Sequence, residues 1–252
     1  MKIALTGKGG VGKTTLAALL AQRYAAQGMR VYAIDADPDA NLASMLGVPD
    51  PEAIVPMVEM KALIKERVGA TSQDLGTYFS LNPRVDDIPE RYGLRLGNLR
   101  LLVLGHVPRA RGGCACPENV FLRELVSHAL TLHDEVVILD MEAGVEHLGR
   151  GTAAGVDWML IVVEPSRQSL ETAGRIRRLA GDLGVPRIAA VGNKIASPED
   201  RAVLEQALPG LPFLAWLPHD PELRAQSLRG RGLEASAGVA EVIANIMEKL
   251  QG

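Results

Sequence analysis

Residues 7–14 read Gly-Lys-Gly-Gly-Val-Gly-Lys-Thr, directly after an apolar run at 2–6 and directly before an amphipathic helical pattern at 13–27. The spelling satisfies G-x-x-x-x-G-K-S/T, the pattern of a loop that cradles phosphate. Few patterns constrain a chain as tightly. The glycines let successive backbone N–H groups curl around phosphate oxygens, and the helix that follows aims its positive end at the same anion. That arrangement requires a strand to end, and a helix to begin, at the carboxyl edge of a parallel sheet. Gly9, Gly10, Val11, Gly12, Lys13, Thr14 and Thr15 are therefore the candidate nucleotide-binding residues. Lys13 is placed to reach the terminal phosphates, and the Thr14 hydroxyl to hold Mg²⁺.

The rest of the chain agrees with this. Short apolar runs at 30–35, 100–104, 135–140, 158–164, 187–191 and 213–217 alternate with helical patterns. Most are apolar on both faces, as buried parallel strands are, so the expected class is α/β: a predominantly parallel twisted sheet flanked by helices. At 252 residues, with 47% apolar, the chain can bury one large core, and it reads as a single domain over 1–252. The stretch at about 47–98, with scattered Pro, Gly and charge, reads as an irregular insertion. Ser197 followed by Pro198 marks a helix start. The last helical pattern carries Val239, Val242, Ile243, Ile246, Met247 and Leu250 on one stripe, opposite Glu241, Glu248 and Lys249. A membrane-surface helix needs several basic residues on its polar face, and only Lys249 is there. No apolar run approaches the roughly 18 residues of a membrane span, and Lys8 comes before any secretory hydrophobic region could form, so a cytoplasmic location is expected. A net charge of −3 and 4% aromatic residues argue against a nucleic-acid partner.

Two further elements fall at strand ends. Asp140 closes the run Val136-Val137-Ile138-Leu139, a Walker B pattern, and is expected to hold Mg²⁺ through a water molecule. Asp35, Asp37 and Asp39 follow the second strand, and Asp35 and Asp39 read as solvated loop carboxylates. Asn193-Lys194-Ile195-Ala196 looks like a worn N-K-x-D element, whose final carboxylate accepts from guanine. Ala196 cannot accept, so ATP is favoured over GTP. Asn193 is the expected adenine contact, with Pro218 and Asp220 on a second loop at the base.

Both cysteines of the chain, Cys114 and Cys116, sit in the glycine-flanked loop at 112–117. Pro117 belongs at the first turn of the helical pattern that follows, which places Cys116 near the helix's positive end, where the thiolate is favoured. Inert core cysteines are isolated on apolar faces, and a disulfide spanning one residue is a small strained ring, which leaves ligation of a metal or cluster. A closed soft-metal site takes about four donors, and one chain offers two sulfurs. A two-fold homodimer supplies four by repeating the same loop. Soft thiolates accept Ni²⁺, Zn²⁺, Cu⁺ or a cluster, so the residues alone leave the ion open.

The string GKGGVGKTT resembles the deviant Walker A loop of the MinD, ParA and nitrogenase iron protein superfamily. IDADPDANLA, LNPRVDDIPERY, GCACPENVFLREL and DMEAGVEHLGRGT resemble the CooC-type ATPases, which mature carbon monoxide dehydrogenase by nickel insertion. The resemblance implies a MinD-like P-loop fold and Mg²⁺-dependent ATP hydrolysis. It also implies that Lys8 crosses a dimer interface to the partner's nucleotide, that Asp37 orients the attacking water, and that the Gly144 N–H senses the γ-phosphate. It further implies an ATP-promoted homodimer with Cys114 and Cys116 at its interface, carrying Ni²⁺ or Zn²⁺, and carbon monoxide dehydrogenase or a related nickel enzyme as client. Two other readings stand beside it. One is an iron–sulfur cluster carrier or electron-transfer ATPase. The other is a ParA/MinD-like positioning ATPase, which needs a lipid- or DNA-binding tail for which no basic run is present.

Overall fold

A computed structural model of the chain describes residues 1–71, 78–106, 116–143, 150–153, 155–230 and 232–252. Within them, each of the seven apolar runs is a strand: β1 (Lys2–Thr6), β2 (Val31–Ala36), β4 (Leu99–Val103), β5 (Val136–Met141), β6 (Trp158–Val163), β7 (Ile188–Ile195) and β8 (Phe213–Pro218). A short eighth strand, β3 (Leu94–Leu96), precedes β4. The helices between them are α1 (Lys13–Ala26), α2 (Leu42–Met45), α3 (Lys61–Val68), α4 (Ile88–Tyr92), α5 (Pro117–Ala129), α6 (Arg150–Ala153), α7 (Arg167–Asp182), α8 (Pro198–Ala207), α9 (Pro221–Arg229) and α10 (Ala237–Gln251).

The strands form one sheet in the order β3-β4-β2-β5-β1-β6-β7-β8, and every neighbouring pair is parallel except β3 with β4. Alternation along the strands feeds two cores. On one face Ala4, Ile34, Val137 and Leu139 pack with Phe121 and Leu125 of α5 and Ile176 of α7. On the other, Ile3, Leu5 and Ile138 pack with Leu16, Leu20 and Tyr24 of α1 and with Ile243 and Ile246 of α10. The stripe on α10 is thus core: Val239, Ile243, Ile246, Met247 and Leu250 are buried and Val242 is half-buried. Ser197 caps α8 as expected. Its hydroxyl accepts from Asp200 N while the Asp200 carboxylate accepts from Ser197 N, a complete capping box.

The stretch 47–98 is more regular than expected. Its described part holds α3, α4 and β3, and it sends Met57, Leu63, Ile64, Val68 and Ile88 into the same core cluster as Phe121. Strand β7 also runs past the expected end at 191 to Ile195.

Register positions the site. Leu5 lies opposite Asp140, and Asp35 lies opposite Asp140 from the other side. The carboxyl ends of β1, β2 and β5 therefore finish level, and the loops leaving them converge. Among the described residues, no helix is long and apolar enough to cross a membrane.

Candidate functional site

The phosphate loop leaves β1 hard against its neighbour. A Cβ at Gly7 would lie 2.3 Å from the Val162 carbonyl oxygen of β6, so that position admits only glycine. The loop enters α1 through Gly12, whose φ of 96° is left-handed; there a Cβ would meet Asn193 Nδ2 at 2.3 Å. Gly9, Gly10, Gly12, Lys13, Thr14 and Thr15 open onto a cavity of about 380 Å³, while Val11 is fully buried beneath the loop. The cavity also takes in Asp37, Asn193, Pro218 and Asp220, so all these candidates meet in one place.

The charged groups at the cavity floor are arranged around buried carboxyls. Lys13 is 5% exposed and its Nζ lies 3.5 Å from Asp37 Oδ2. Asp35, expected to be solvated, is instead fully buried, because the chain folds back over it. Its Oδ1 accepts from Asp37 N at 3.2 Å and its Oδ2 from Leu42 N at 2.9 Å, which fixes the loop that carries Asp37. Burial pushes the Asp35 carboxyl up to about 6. Asp39 is exposed as expected. Asp140 is fully buried, and neither of its oxygens accepts a well-formed hydrogen bond from a described residue. Burial first, and then the Asp35 charge, raise it to about 7, against the Thr14 hydroxyl and the Lys13 ammonium, which favour its ionised form. A buried carboxylate short of well-formed hydrogen bonds is costly unless a cation completes it. The donors gathered here, carboxylate and hydroxyl oxygens, suit a hard divalent ion such as Mg²⁺.

The remaining candidates occupy distinct positions. Lys8 is half-buried, and its ammonium makes no ion pair or hydrogen bond with any described residue. Asn193 Nδ2 donates to Val11 O at 2.7 Å and its Oδ1 accepts from Lys194 N at 2.8 Å. Asp220 caps α9, accepting from Glu222 N and Leu223 N, and it also accepts from the Ser236 hydroxyl, the bond that does most to hold its carboxyl below the usual range. Pro218 ends β8 at the cavity rim. Cys116 is a free, half-buried thiol at the N-cap of α5, with Pro117 at the first turn as the spacing predicts. Gly144 and Cys114 lie outside the described residues.

Three participants were not anticipated. Lys194 and Glu164 tie the phosphate loop to β6 and β7, and Arg224 of α9 joins the cavity wall. The charged residue after Asn193 was the available signal for the first pair. Nothing in the spacing marks Arg224.

Comparison with known proteins places this geometry. Residues 2–233 match the CobQ/CobB/MinD/ParA nucleotide-binding domain family, CbiA. The chain is 48% identical over 232 residues to the carbon monoxide dehydrogenase accessory protein CooC of Rhodospirillum rubrum, covering 91% of this chain and 88% of that one. The chain belongs to the CooC-type ATPases of the MinD/ParA superfamily. This CooC-type ATPase is also 42% identical to an uncharacterized ATP-binding protein of Methanocaldococcus jannaschii, over 98% of this chain and 96% of that protein. Among solved structures it is similar to a ParA family ATPase from Chlorobium tepidum (TM-score 0.70, 19% identity, 100% and 98% of the two chains covered). It is similar also to the cell division protein MinD of Aquifex aeolicus (TM-score 0.69, 23% identity, 99% and 96% covered). At these identities the structural likeness concerns the fold.

Proposed function

We propose that this ATPase is a cytoplasmic maturation factor that carries a soft metal ion, Ni²⁺ or Zn²⁺, on Cys114 and Cys116 of two copies joined by ATP, and assists nickel insertion into carbon monoxide dehydrogenase. The observation that carries the reading is Cys116. It is a free, half-buried thiol at a helix amino terminus, in a chain with one other cysteine two residues away and 48% identity to an accessory protein of that enzyme. Two sulfurs per chain fall short of a closed site, and an isologous interface completes it.

The catalytic roles follow from the cavity. Thr14 and Asp140 would hold Mg²⁺, which would supply positive charge to the terminal phosphates when bound. ATP entering the loop competes with Asp37 for the Lys13 ammonium, so Lys13 moves its charge to the phosphates and leaves the Asp37 carboxylate free to orient water. The Gly144 N–H reads the γ-phosphate. Lys8, whose ammonium has no partner among the described residues, serves the nucleotide of the second copy, a cation supplied in trans. Asn193, Pro218 and Asp220 bound the base end, and Ala196 withholds the carboxylate that guanine requires. Because nucleotide and metal share one interface, each changes the affinity of the other by the same factor. Hydrolysis to ADP and phosphate loosens the clamp and releases the ion.

Activation of nickel-free carbon monoxide dehydrogenase tests this. The chain with Ni²⁺ and Mg-ATP is expected to activate the enzyme faster than Ni²⁺ alone, and Lys8→Ala is expected to abolish both the gain and the ATP-dependent dimer in sedimentation. Equal activation by wild type and a Cys114→Ser, Cys116→Ser variant would contradict the proposal. A broad visible absorbance lost in that variant would favour cluster transport instead.

A further inference from the structure

We propose that Lys194, held by Glu164, is a positioning residue that keeps the phosphate loop in its binding shape. The proposal rests on the reading that the cavity takes ATP. Three strand ends lie side by side here: β1 runs into the loop, β6 into Glu164, and β7 carries Asn193 and Lys194. Lys194 Nζ donates to Gly10 O at 2.7 Å and to Glu164 Oε2 at 2.7 Å, while Asn193 Nδ2 donates to Val11 O at 2.7 Å. Two consecutive carbonyls of the loop are thus drawn toward β7. Within a planar trans peptide the C=O and the next N–H point in opposite directions. Drawing the Gly10 and Val11 oxygens to one side therefore turns the N–H groups of Val11 and Gly12 to the other. A run of glycines has no such preference of its own, since Gly10 and its neighbours sample many backbone states.

The tether is itself built into the sheet. Pairing between β7 and β8 shifts register between Gly192 and Ile195, an irregularity of the kind that re-aims side chains beside functional sites. Trp216 seats the shift: a Cβ at Gly192 would lie 2.3 Å from the Trp216 ring. Lys194 adopts a φ of 58°, uncommon for a residue with a side chain, and its N–H is held by Asn193 Oδ1 at 2.8 Å. The counterion is anchored in turn. Glu164 Oε1 accepts from the hydroxyl of Ser166, and that hydroxyl caps α7 through Ser169 N. The Lys194 side chain is 43% exposed and that of Glu164 18%, so the pair is open to solvent on the lysine side and is held in place by the Gly10 and Ser166 bonds rather than by burial.

Titration calorimetry with Mg-ADP and steady-state ATP hydrolysis test the role. Lys194→Met is expected to weaken Mg-ADP by ~10-fold, the effect of one charge-assisted hydrogen bond. It should raise KM for ATP to match, with kcat within about two-fold, because ground state and transition state lose the same support. Glu164→Gln should give a smaller loss, and Lys194→Arg, which can reach both oxygens, should recover most of the affinity. Lys194→Gly removes the ammonium and also relieves the positive φ, so it should fold at least as well as wild type and still bind Mg-ADP as weakly as Lys194→Met. A merely structural role predicts a lower active fraction instead, with reduced kcat and unchanged KM, and would overturn the proposal. So would Mg-ADP affinity within two-fold of wild type in both Lys194→Gly and Lys194→Met. Failure of the wild-type chain to bind Mg-ADP would overturn the nucleotide reading and the tether with it; normal wild-type binding with unaffected variants would overturn the tether alone.

Discussion

Asp140 offers a test in which function and stability oppose each other. Its carboxyl is fully buried without a well-formed hydrogen bond from a described residue, and its pKa stands at about 7 against 3.8 for an ordinary aspartate. A carboxyl whose pKa is raised by folding costs nothing below pH 3.8, where it is protonated folded or unfolded. The cost grows as pH rises and is complete above about 7, so the nucleotide-free protein loses stability across that window. Converted at about 1.36 kcal/mol per pH unit, the cost is about 4 kcal/mol at pH 8 and about 2 kcal/mol at pH 5. Asp140→Asn removes the ionisation and leaves a neutral buried amide, whose own cost of about 1–3 kcal/mol does not change with pH. Relative to wild type in EDTA, the variant should therefore gain about 2–3 kcal/mol between pH 5 and pH 8, whatever its offset at pH 5. For a chain of this size that corresponds to about 5–10 °C in Tm. Thermal denaturation at the two pH values reads it directly. Added Mg-ADP should stabilise the wild type and not the variant. A variant destabilised equally at both pH values, or more so at pH 8, would show that ionised Asp140 does not burden the folded protein.

Two other expectations follow. Asp37→Ala should keep Mg-ATP binding within a few-fold of wild type while slowing hydrolysis by ~100-fold, since its carboxylate acts on water rather than on the phosphates; equilibrium binding and phosphate release separate the two. Ser197→Ala should lower stability by about 1 kcal/mol in urea denaturation through loss of the capping box, with KM for ATP unchanged.

Much of the fold could be read from the chain because parallel strands buried on both faces leave continuous apolar runs, and β1, β2, β5 and β6 are such runs. Strand β3 left no such mark: Leu94-Arg95-Leu96 is three residues long, largely exposed, and paired on one side at the sheet edge. The end of β7 was also hidden, since Gly192, Asn193 and Lys194 have little strand preference and are held there by Trp216 and the phosphate loop. At the site, the loop and Asp140 were legible because each is a short pattern tied to a strand end. Asp35 was misread as solvated because its burial depends on the chain returning to present the Leu42 N–H, a tertiary event. The two engaged atoms of Asn193 show the same limit. Residue type and position pointed to the base end of the cavity, which Asn193 does line, and left unread its bonds to backbone groups of the loop and of Lys194. The Cys116–Pro117 helix start, by contrast, is a local rule and was recoverable from spacing.

In the proposed function two copies, clamped by ATP, share one ion between their cysteines. Anaerobic native mass spectrometry of the reduced protein with Ni²⁺, with and without Mg-ATP, reads bound metal and assembly together. One ion per two chains is expected with ATP present, lost in Cys114→Ser with Cys116→Ser. One tightly bound ion per single chain, indifferent to ATP, would contradict it.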